Sequence, residues 1–359
     1  MSKIKIGVTV GDINGVGIEV ILKTFSDRRI LEFCTPLIYG SSKIITYHKN
    51  IVNSDFQYSD VKSADHCKDG EINIFNFSDD TIDITLGRPT LESGKYAFDA
   101  LEAATTDLTE QRIDAIVTAP INKEAMSLAK FGFPGHTEYL SNKFKNRSHL
   151  MLMVNDGLRI GVVTGHIPLS KVAERITKKR VLQKIKMMNH SLRVDFNIDR
   201  PTIAVLGLNP HASDNGVIGN DEDEMIRPAI IEAKKNGILA MGPYAADGFF
   251  GSGQYRKFDG ILAMYHDQGL IPFKTLSFNS GVNYTAGLSI VRTSPDHGTA
   301  YDIVGKNEAN PASFRKALFA AIEIAENRRD NVEMTENQLE KRSKNLKQVE
   351  ERAEDLAEE

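Results

Sequence analysis

Ile4-Lys5-Ile6-Gly7-Val8-Thr9-Val10, continued by Gly11-Asp12-Ile13-Asn14-Gly15-Val16-Gly17 and an apolar run from Ile18, is the stretch that decides the fold. A β-branched apolar run reads as a strand buried on both faces, the glycines as a turn, and the helix-spaced residues after them as a helix. The same order recurs along the chain. Residues 36–39, 114–118, 150–154, 159–164, 202–208 and 260–264 read as further strands, and residues 93–108, 179–192, 222–236 and 317–327 as helices. Strands alternating with helices predict an α/β architecture with a largely parallel sheet. In open α/β sheets ligands bind beyond the carboxyl ends of the strands. Three of these strands run directly into a histidine, at Thr164-Gly165-His166, Leu208-Asn209-Pro210-His211 and Tyr265-His266-Asp267, so that edge is the candidate site.

Composition bounds what such a fold is for. At 359 residues the chain is long for one core, and two domains are expected. A net charge of -4 gives no reason to expect nucleic acid or an anionic membrane as partner. Two cysteines, Cys34 and Cys67, make no disulfide framework and suit a reducing compartment. The N-terminus lacks the pattern of a signal peptide, and no apolar run approaches the roughly 20 residues of a membrane span. The expected location is the cytoplasm.

Of the nine histidines, His48, His66, His149 and His190 lie in polar or helical surroundings and read as surface or packing residues. His136, His166, His211, His266 and His297 lie in loops rich in Gly, Pro or Thr, where a rigid scaffold presents functional groups. Three imidazoles with open positions suit a catalytic metal centre. By spacing alone they are equally compatible with separate loop histidines satisfied by backbone. Lys274, Asn283 and Arg292 fall in a segment rich in Asn, Ser, Gly and Thr, residues 273–293; Lys and Arg there offer a point charge and a planar fork for phosphate or carboxylate. The turn at residues 11–17 reads either as an anion-binding helix start or as a plain tight turn. It is neither a dinucleotide fingerprint nor a P-loop.

The end of the chain is different in kind. Residues 331–359 are polar and highly charged. Thr335 with Gln338 fits a capping box and Met334 with Leu339 a hydrophobic staple. Leu339, Leu346, Val349, Ala353 and Leu356 follow a heptad-like seam interrupted by Arg342. The expectation is a charged helical extension.

Taken in order, these motifs resemble the 4-hydroxythreonine-4-phosphate dehydrogenase (PdxA) family. The resemblance covers residues 3–328 or so. It is carried by Val8-Thr9-Val10-Gly11-Asp12 with Gly15-Val16-Gly17 and Glu19, Thr118-Ala119-Pro120-Ile121-Asn122-Lys123, Pro134-Gly135-His136-Thr137-Glu138, and Val163-Thr164-Gly165-His166-Ile167-Pro168-Leu169. It continues with Leu208-Asn209-Pro210-His211-Ala212, Gly242-Pro243-Tyr244-Ala245-Ala246-Asp247, Tyr265-His266-Asp267-Gln268-Gly269 and Thr293-Ser294-Pro295-Asp296-His297-Gly298-Thr299-Ala300 through Asp302. It implies two α/β/α domains with a cleft between them, like isocitrate and isopropylmalate dehydrogenases: residues 1–130 plus 275–330 on the nucleotide side, and residues 131–274 carrying metal and dimer contacts. It implies a homodimer with shared active sites. His166, His211 and His266 become ligands of a divalent ion (zinc, magnesium or cobalt). His136, Thr137, Lys274, Asn283 and Arg292 become substrate contacts. His297, Gly298, Thr299, Ala300, Asp302 and Asn310 belong to the loop for NAD or NADP. The implied reaction oxidises 4-phosphohydroxy-L-threonine to a β-keto acid that decarboxylates to 3-amino-2-oxopropyl phosphate, in pyridoxal 5'-phosphate biosynthesis. The resemblance assigns no side chain as catalytic acid or base.

The chain departs from the family pattern at Ile13 and Ile18, where proline is common, and at Ser213-Asp214-Asn215-Gly216, where Gly-Glu-Gly is common. The acidic run 221–224 beyond it reads as a helix N-terminus. Two other functions fit the motifs: a dehydrogenase of a 4-phosphorylated sugar acid such as erythronate or threonate 4-phosphate, and a non-catalytic metal- or phosphate-binding protein.

Overall fold

In the computed structural model, which describes residues 3–78, 82–146, 148–277 and 280–336, the alternation resolves into one mixed α/β sheet of 12 strands. In chain order they are β1 (Ile4–Thr9), β2 (Cys34–Tyr39), β3 (Ser59–Val61), β4 (Asn73–Phe75), β5 (Ala115–Thr118), β6 (Leu150–Asn155), β7 (Leu158–Thr164), β8 (Thr202–Leu206), β9 (Leu239–Tyr244), β10 (Gly260–Tyr265), β11 (Val282–Ala286) and β12 (Val291–Pro295). Across the sheet they lie in the order β3-β4-β2-β1-β5-β12-β11-β6-β7-β10-β8-β9. The opening strand behaves as its composition predicts: five of its six residues are buried, and it pairs in parallel with β2 and β5.

The sheet is parallel in two blocks, and the blocks run in opposite directions. From β3 to β12 every pairing is parallel, as it is from β7 to β9. Between them β12 to β11, β11 to β6 and β6 to β7 are antiparallel. The last reversal is a hairpin over Asp156-Gly157, with φ of 20° and 87°, the left-handed geometry a two-residue turn needs and Asp-Gly readily adopts. The carboxyl ends of β7, β10 and β8 therefore lie at one edge of the sheet, and those of β1, β5 and β12 at the other.

The helices follow the sequence pattern with modest shifts. The first spans Gly17–Phe25, and the 93–108 segment becomes Leu91–Thr109, started by a Thr90–Ser93 capping box. Residues 222–236 form a π-turn, Glu222–Ile226, running into Arg227–Lys235. The final helix is longer than read, Ala312–Glu336. Thr335 lies inside it and donates its hydroxyl to the Asn331 carbonyl at 2.8 Å, so it caps nothing new. Gln338, Leu339 and the heptad seam lie outside the described residues. No helix among the described residues is long and apolar enough to cross a membrane.

Candidate functional site

Strand register places the site before any side chain is considered. Arg292 on β12 lies opposite Ile116 on β5, so Thr118, two residues on, shares its face. Ser294 lies opposite Asn283 on β11, and Asn283 and Thr285 lie opposite Met153 and Met151 on β6. Met153 lies opposite Ile160 on β7, and Ile160 opposite Ile261 on β10. One face of the sheet thus changes character midway. Thr118, Arg292, Ser294, Asn283 and Thr285 are polar. Met153, Ile160 and Ile261 join a buried apolar cluster with Phe249, Leu270 and Phe273 from the overlying helices Ala246–Gly251 and His266–Leu276.

Over the polar half lies a cavity of about 270 Å³. The start of the helix His136–Lys143 walls it with His136, Thr137 and Glu138, and Lys123 enters from another helix start. Arg292 is 4% exposed. Its Nε and Nη2 both donate to Thr118 Oγ1, at 3.1 and 2.8 Å. Nη2 also approaches His136 Nδ1 at 3.3 Å, and Nη1 approaches Thr285 Oγ1 at 3.4 Å. None of these partners is charged, and among the described residues no carboxylate pairs with the guanidinium. Burial pulls it down to about 10, with the charge of Glu138 across the cavity opposing, and it is still cationic at neutral pH. Burial, and then the facing Arg292, push His136 well below the ordinary histidine value, so it is neutral and accepts at Nδ1. Two acceptors at the cavity wall are buried and lack a partner among the described residues, Asn283 Oδ1 and His297 Nε2. His297 Nδ1 donates to the Gly298 carbonyl at 3.0 Å, which leaves Nε2 as the bare acceptor. A buried unneutralised cation beside unfilled acceptors is a site built for a ligand carrying both signs.

The three candidate metal ligands follow three neighbouring strands, β7, β10 and β8, that end at one edge. The rings of His166 and His266 are 5.4 Å apart, and His166 also lines the cavity. Desolvation, with His266 and Lys123 adding to it, lowers the His166 pKa. His266 Nδ1 bonds to Asp267 Oδ1 at 2.7 Å, which leaves Nε2 free for a metal. His211 stays exposed, and among the described residues no three His, Cys, Asp or Glu side chains gather closely enough to hold a metal ion. Its backbone is unusual: His211, Ala212, Ser213, Asp214 and Asn215 all have φ between 46° and 69°. For residues with a Cβ this conformation is strained, and it persists only where the surroundings impose it. Glu222, fully buried, is one such restraint. Its Oε1 accepts from the backbone N–H of Leu208 and of Asn209, each at 2.8 Å. The acidic run read as a helix start therefore clamps the approach to His211.

Lys274 lies on the last turn of its helix, apart from the cavity lining, and pairs with Asp296 at 3.4 Å. Burial raises the Asp296 pKa, with Lys274 opposing. Asn283 and Arg292, read as members of a loop segment, sit on strands β11 and β12.

The 297–310 loop is seated on the N-terminal turn. His297 and Gly298 line the cavity, whereas Thr299, Ala300, Asp302 and Asn310 lie outside that lining. Val16 donates its N–H to the Thr299 carbonyl at 3.0 Å, and Tyr301 donates to Asp12 Oδ2 at 2.5 Å. Farther along, Glu19 Oε1 accepts from Ala309 N at 2.9 Å, and Lys23 reaches the carbonyls of Asn307 and Ala309. Asn310 accepts from Ala312 N at 2.9 Å and so starts the last helix. Gly15 N is also taken, by the Asp12 carbonyl. The turn at residues 11–17 is thus a seat for the loop, with the N–H groups of Asp12, Asn14, Gly15 and Val16 spent on protein.

The sequence assigns no role to Thr118, Lys123, Glu138 or Ser294, although all four stand in quoted motifs. The available signal was polar residues in or just past strands that are otherwise apolar.

Comparison with known proteins gives the family. The family model described as pyridoxal phosphate biosynthetic protein PdxA matches residues 32–321. A 4-hydroxythreonine-4-phosphate dehydrogenase of Bacteroides thetaiotaomicron is 51% identical, over 91% of this chain and 90% of that one. A relative from Oceanobacillus iheyensis, named for D-threonate 4-phosphate dehydrogenase activity, is 39% identical over 89% of this chain and 97% of its own. The crystal structure of 4-hydroxythreonine-4-phosphate dehydrogenase from Klebsiella pneumoniae aligns with a TM-score of 0.80 at 32% identity, covering 90% of this chain and all of that one.

Proposed function

The chain belongs to the PdxA family, and from that premise we propose that it is a nicotinamide-dependent dehydrogenase that oxidises 4-phosphohydroxy-L-threonine in pyridoxal phosphate biosynthesis. The product is a β-keto acid that loses carbon dioxide to give 3-amino-2-oxopropyl phosphate. One observation carries the substrate assignment: the cavity offers a buried, unneutralised Arg292 together with the open acceptors Asn283 Oδ1 and His297 Nε2 and the carboxylate of Glu138. A phosphorylated amino acid has anionic ends for the first and an ammonium for the others. A phosphorylated sugar acid offers no cation to Glu138.

The protein's own groups then divide the work. Arg292, with Lys123, holds the phosphate and carboxylate by charge-assisted hydrogen bonds, and Lys274, outside this lining, would join them by leaving Asp296. Neutral His136 donates from Nε2 to a substrate oxygen, and Thr137 and Asn283 fix the orientation. His166 and His266, joined by His211, supply a neutral imidazole set suited to zinc or cobalt more than to magnesium. The strained backbone at residues 211–215 supports a functional assignment for His211, and its exposure supports completion of the site in an assembled form. When bound, the divalent ion supplies a Lewis acid at the hydroxyl and the nicotinamide an acceptor for hydride. The 297–310 loop is the segment we assign to the nicotinamide cofactor, NAD or NADP.

The active unit we propose is a homodimer. Ile271 is 65% exposed and Leu276 46%, on the helix that begins at His266, an apolar face fit for a second copy. We also divide the chain at the cleft. Residues 1–130 and 275–330 contribute β3-β4-β2-β1-β5-β12-β11 as one contiguous set, and residues 131–274 contribute β6-β7-β10-β8-β9 as the other.

Turnover of 4-phosphohydroxy-L-threonine against erythronate and threonate 4-phosphates tests the reading. A clear preference for the amino acid in kcat/KM is expected. A preference for either sugar acid would overturn the assignment, and no reduction of NAD or NADP with any of them would favour a non-catalytic binding protein.

A further inference from the structure

A buried arginine is ordinarily held by a carboxylate, which satisfies its N–H groups and cancels its charge in the same contact. Arg292 is held differently. Thr118, at the end of β5 and 0% exposed, offers one hydroxyl oxygen to two of the five guanidinium N–H bonds, Nε at 3.1 Å and one Nη2 hydrogen at 2.8 Å. A single acceptor bridging Nε and Nη2 fixes the plane of the fork, because both atoms lie on one side of the guanidinium. The second Nη2 hydrogen points to His136 Nδ1 at 3.3 Å, and Nη1 makes only a long contact with Thr285 at 3.4 Å. Nη1 therefore keeps donor capacity on the side away from Thr118. A carboxylate at position 118 would hold the fork as well and neutralise it. A hydroxyl holds it without adding a negative charge, so that only the more distant Glu138 opposes the cation.

We propose that Thr118 is a positioning residue for anion recognition, acting through Arg292: it orients the guanidinium toward the cavity and keeps its charge uncancelled for the phosphate or carboxylate of the substrate. Thr118 borders the cavity, but its hydroxyl oxygen is already engaged by two guanidinium N–H groups. The inference rests on the reading of the cavity as the substrate site. It explains a feature that reading leaves open, namely why a fully buried residue in a Thr-Ala-Pro turn is a threonine when valine has the same shape and suits a strand end equally.

Thr118→Val removes the acceptor and keeps the shape. The expected result is a KM for the phosphorylated substrate raised about 10- to 100-fold, the loss that accompanies a misplaced charged hydrogen bond. kcat and the KM for the nicotinamide should stay near those of the parent. Thr118→Ser, which restores the oxygen, should return the substrate KM to near the parental value. In the Arg292→Lys background Thr118→Val should add little, since a lysine ammonium has no fork to orient. Three results would overturn the proposal: Thr118→Val with the parental substrate KM, Thr118→Ser as defective as Thr118→Val, or full additivity of Thr118→Val with Arg292→Lys. Should Thr118→Val fail to fold, Thr118→Ala, which also removes the acceptor, takes its place and is read by the same criteria against Thr118→Ser and Arg292→Lys. If Arg292→Lys itself leaves the substrate KM unchanged, the cavity is not the anion site. If Arg292→Lys raises it and Thr118→Val does not, only the role of Thr118 fails.

Discussion

Two histidines of this chain are buried and neutral, and they are neutral for different ends. His136 faces the cavity, where Arg292 reinforces burial and keeps Nδ1 available as an acceptor. His48 faces no cavity. It is 3% exposed, its Nε2 bonds to the Ile13 carbonyl at 2.9 Å, and burial pulls its pKa down to about 4. The unfolded chain takes a proton on His48 near pH 6.5, whereas the folded chain refuses it until about pH 4. Between those values the unfolded state binds more protons, so stability falls as pH falls. The window corresponds to ~3 kcal/mol at most. A His48→Gln variant, with no such proton to accept, should lose less stability than the parent between pH 6.5 and pH 4.5 in urea titrations. Equal losses would show that other groups dominate acid sensitivity. At this scale the sequence was partly legible. Of the five histidines marked by a Gly-, Pro- or Thr-rich loop, His136, His166 and His297 line the cavity, His266 lies beside His166, and His211 is exposed. Local composition could not distinguish the helix-borne His48 as core or surface, because that depends on which loop packs against its helix.

Elements were legible where their burial was uniform. β1, β5, β7 and β10 are apolar on both faces and announce themselves. β11 and β12 do not, since Asn283, Thr285, Arg292 and Ser294 point into the site and break the apolar pattern. β9, at the sheet edge, contains Gly242-Pro243, which reads as a turn although an edge strand tolerates proline. The turn at residues 11–17 stays open between two readings in the sequence for another reason: which partner its N–H groups meet is a long-range matter. Gly11, with φ of 66°, sits so close to the Pro120 carbonyl that a Cβ there would be 2.3 Å away. A Cβ on Gly15 would lie 2.8 Å from the Thr299 carbonyl oxygen and 3.0 Å from its Cβ. Gly15→Ala should therefore push the 298–300 segment outward, at a cost of about 1–3 kcal/mol in stability. It should raise the KM for the nicotinamide more than that for the phosphorylated substrate. An unchanged cofactor KM in a folded Gly15→Ala protein would show that the loop does not receive the nicotinamide.

At the scale of the molecule, motif order gave the fold family and strand–helix alternation gave its class, but neither revealed the opposed strand blocks. That property comes from three antiparallel pairings, only one of which, the Asp156-Gly157 hairpin, has a local signature. The arrangement has a consequence for stability. β11 follows β10 in the chain by way of the His266–Leu276 helix, yet it pairs with β12 on one side and β6 on the other. The last helix packs against β12, β5, β1 and β11. A single buried apolar cluster runs from Ile4 and Ile6 in one block through Leu150 and Tyr284 at the junction to Ile203 and Leu262 in the other. Arg328 on the last helix bonds to Asp195 at 2.7 Å and to the Tyr284 hydroxyl at 2.9 Å, and Tyr284 itself donates to Asp195 at 2.6 Å. This buried network ties the final helix, β11 and the residue that ends the Lys178–Val194 helix. The larger core spans both blocks, and only the smaller cluster around Met153, Ile160 and Phe273 is confined to one, so the two blocks should unfold together. Far-UV circular dichroism and tyrosine fluorescence, the usable intrinsic probe in a chain without tryptophan, should report coincident thermal transitions. The calorimetric and van't Hoff enthalpies should agree. Two resolved transitions would instead mean that the halves are independent bodies, and that the shared strands β11 and β6 are a seam between them.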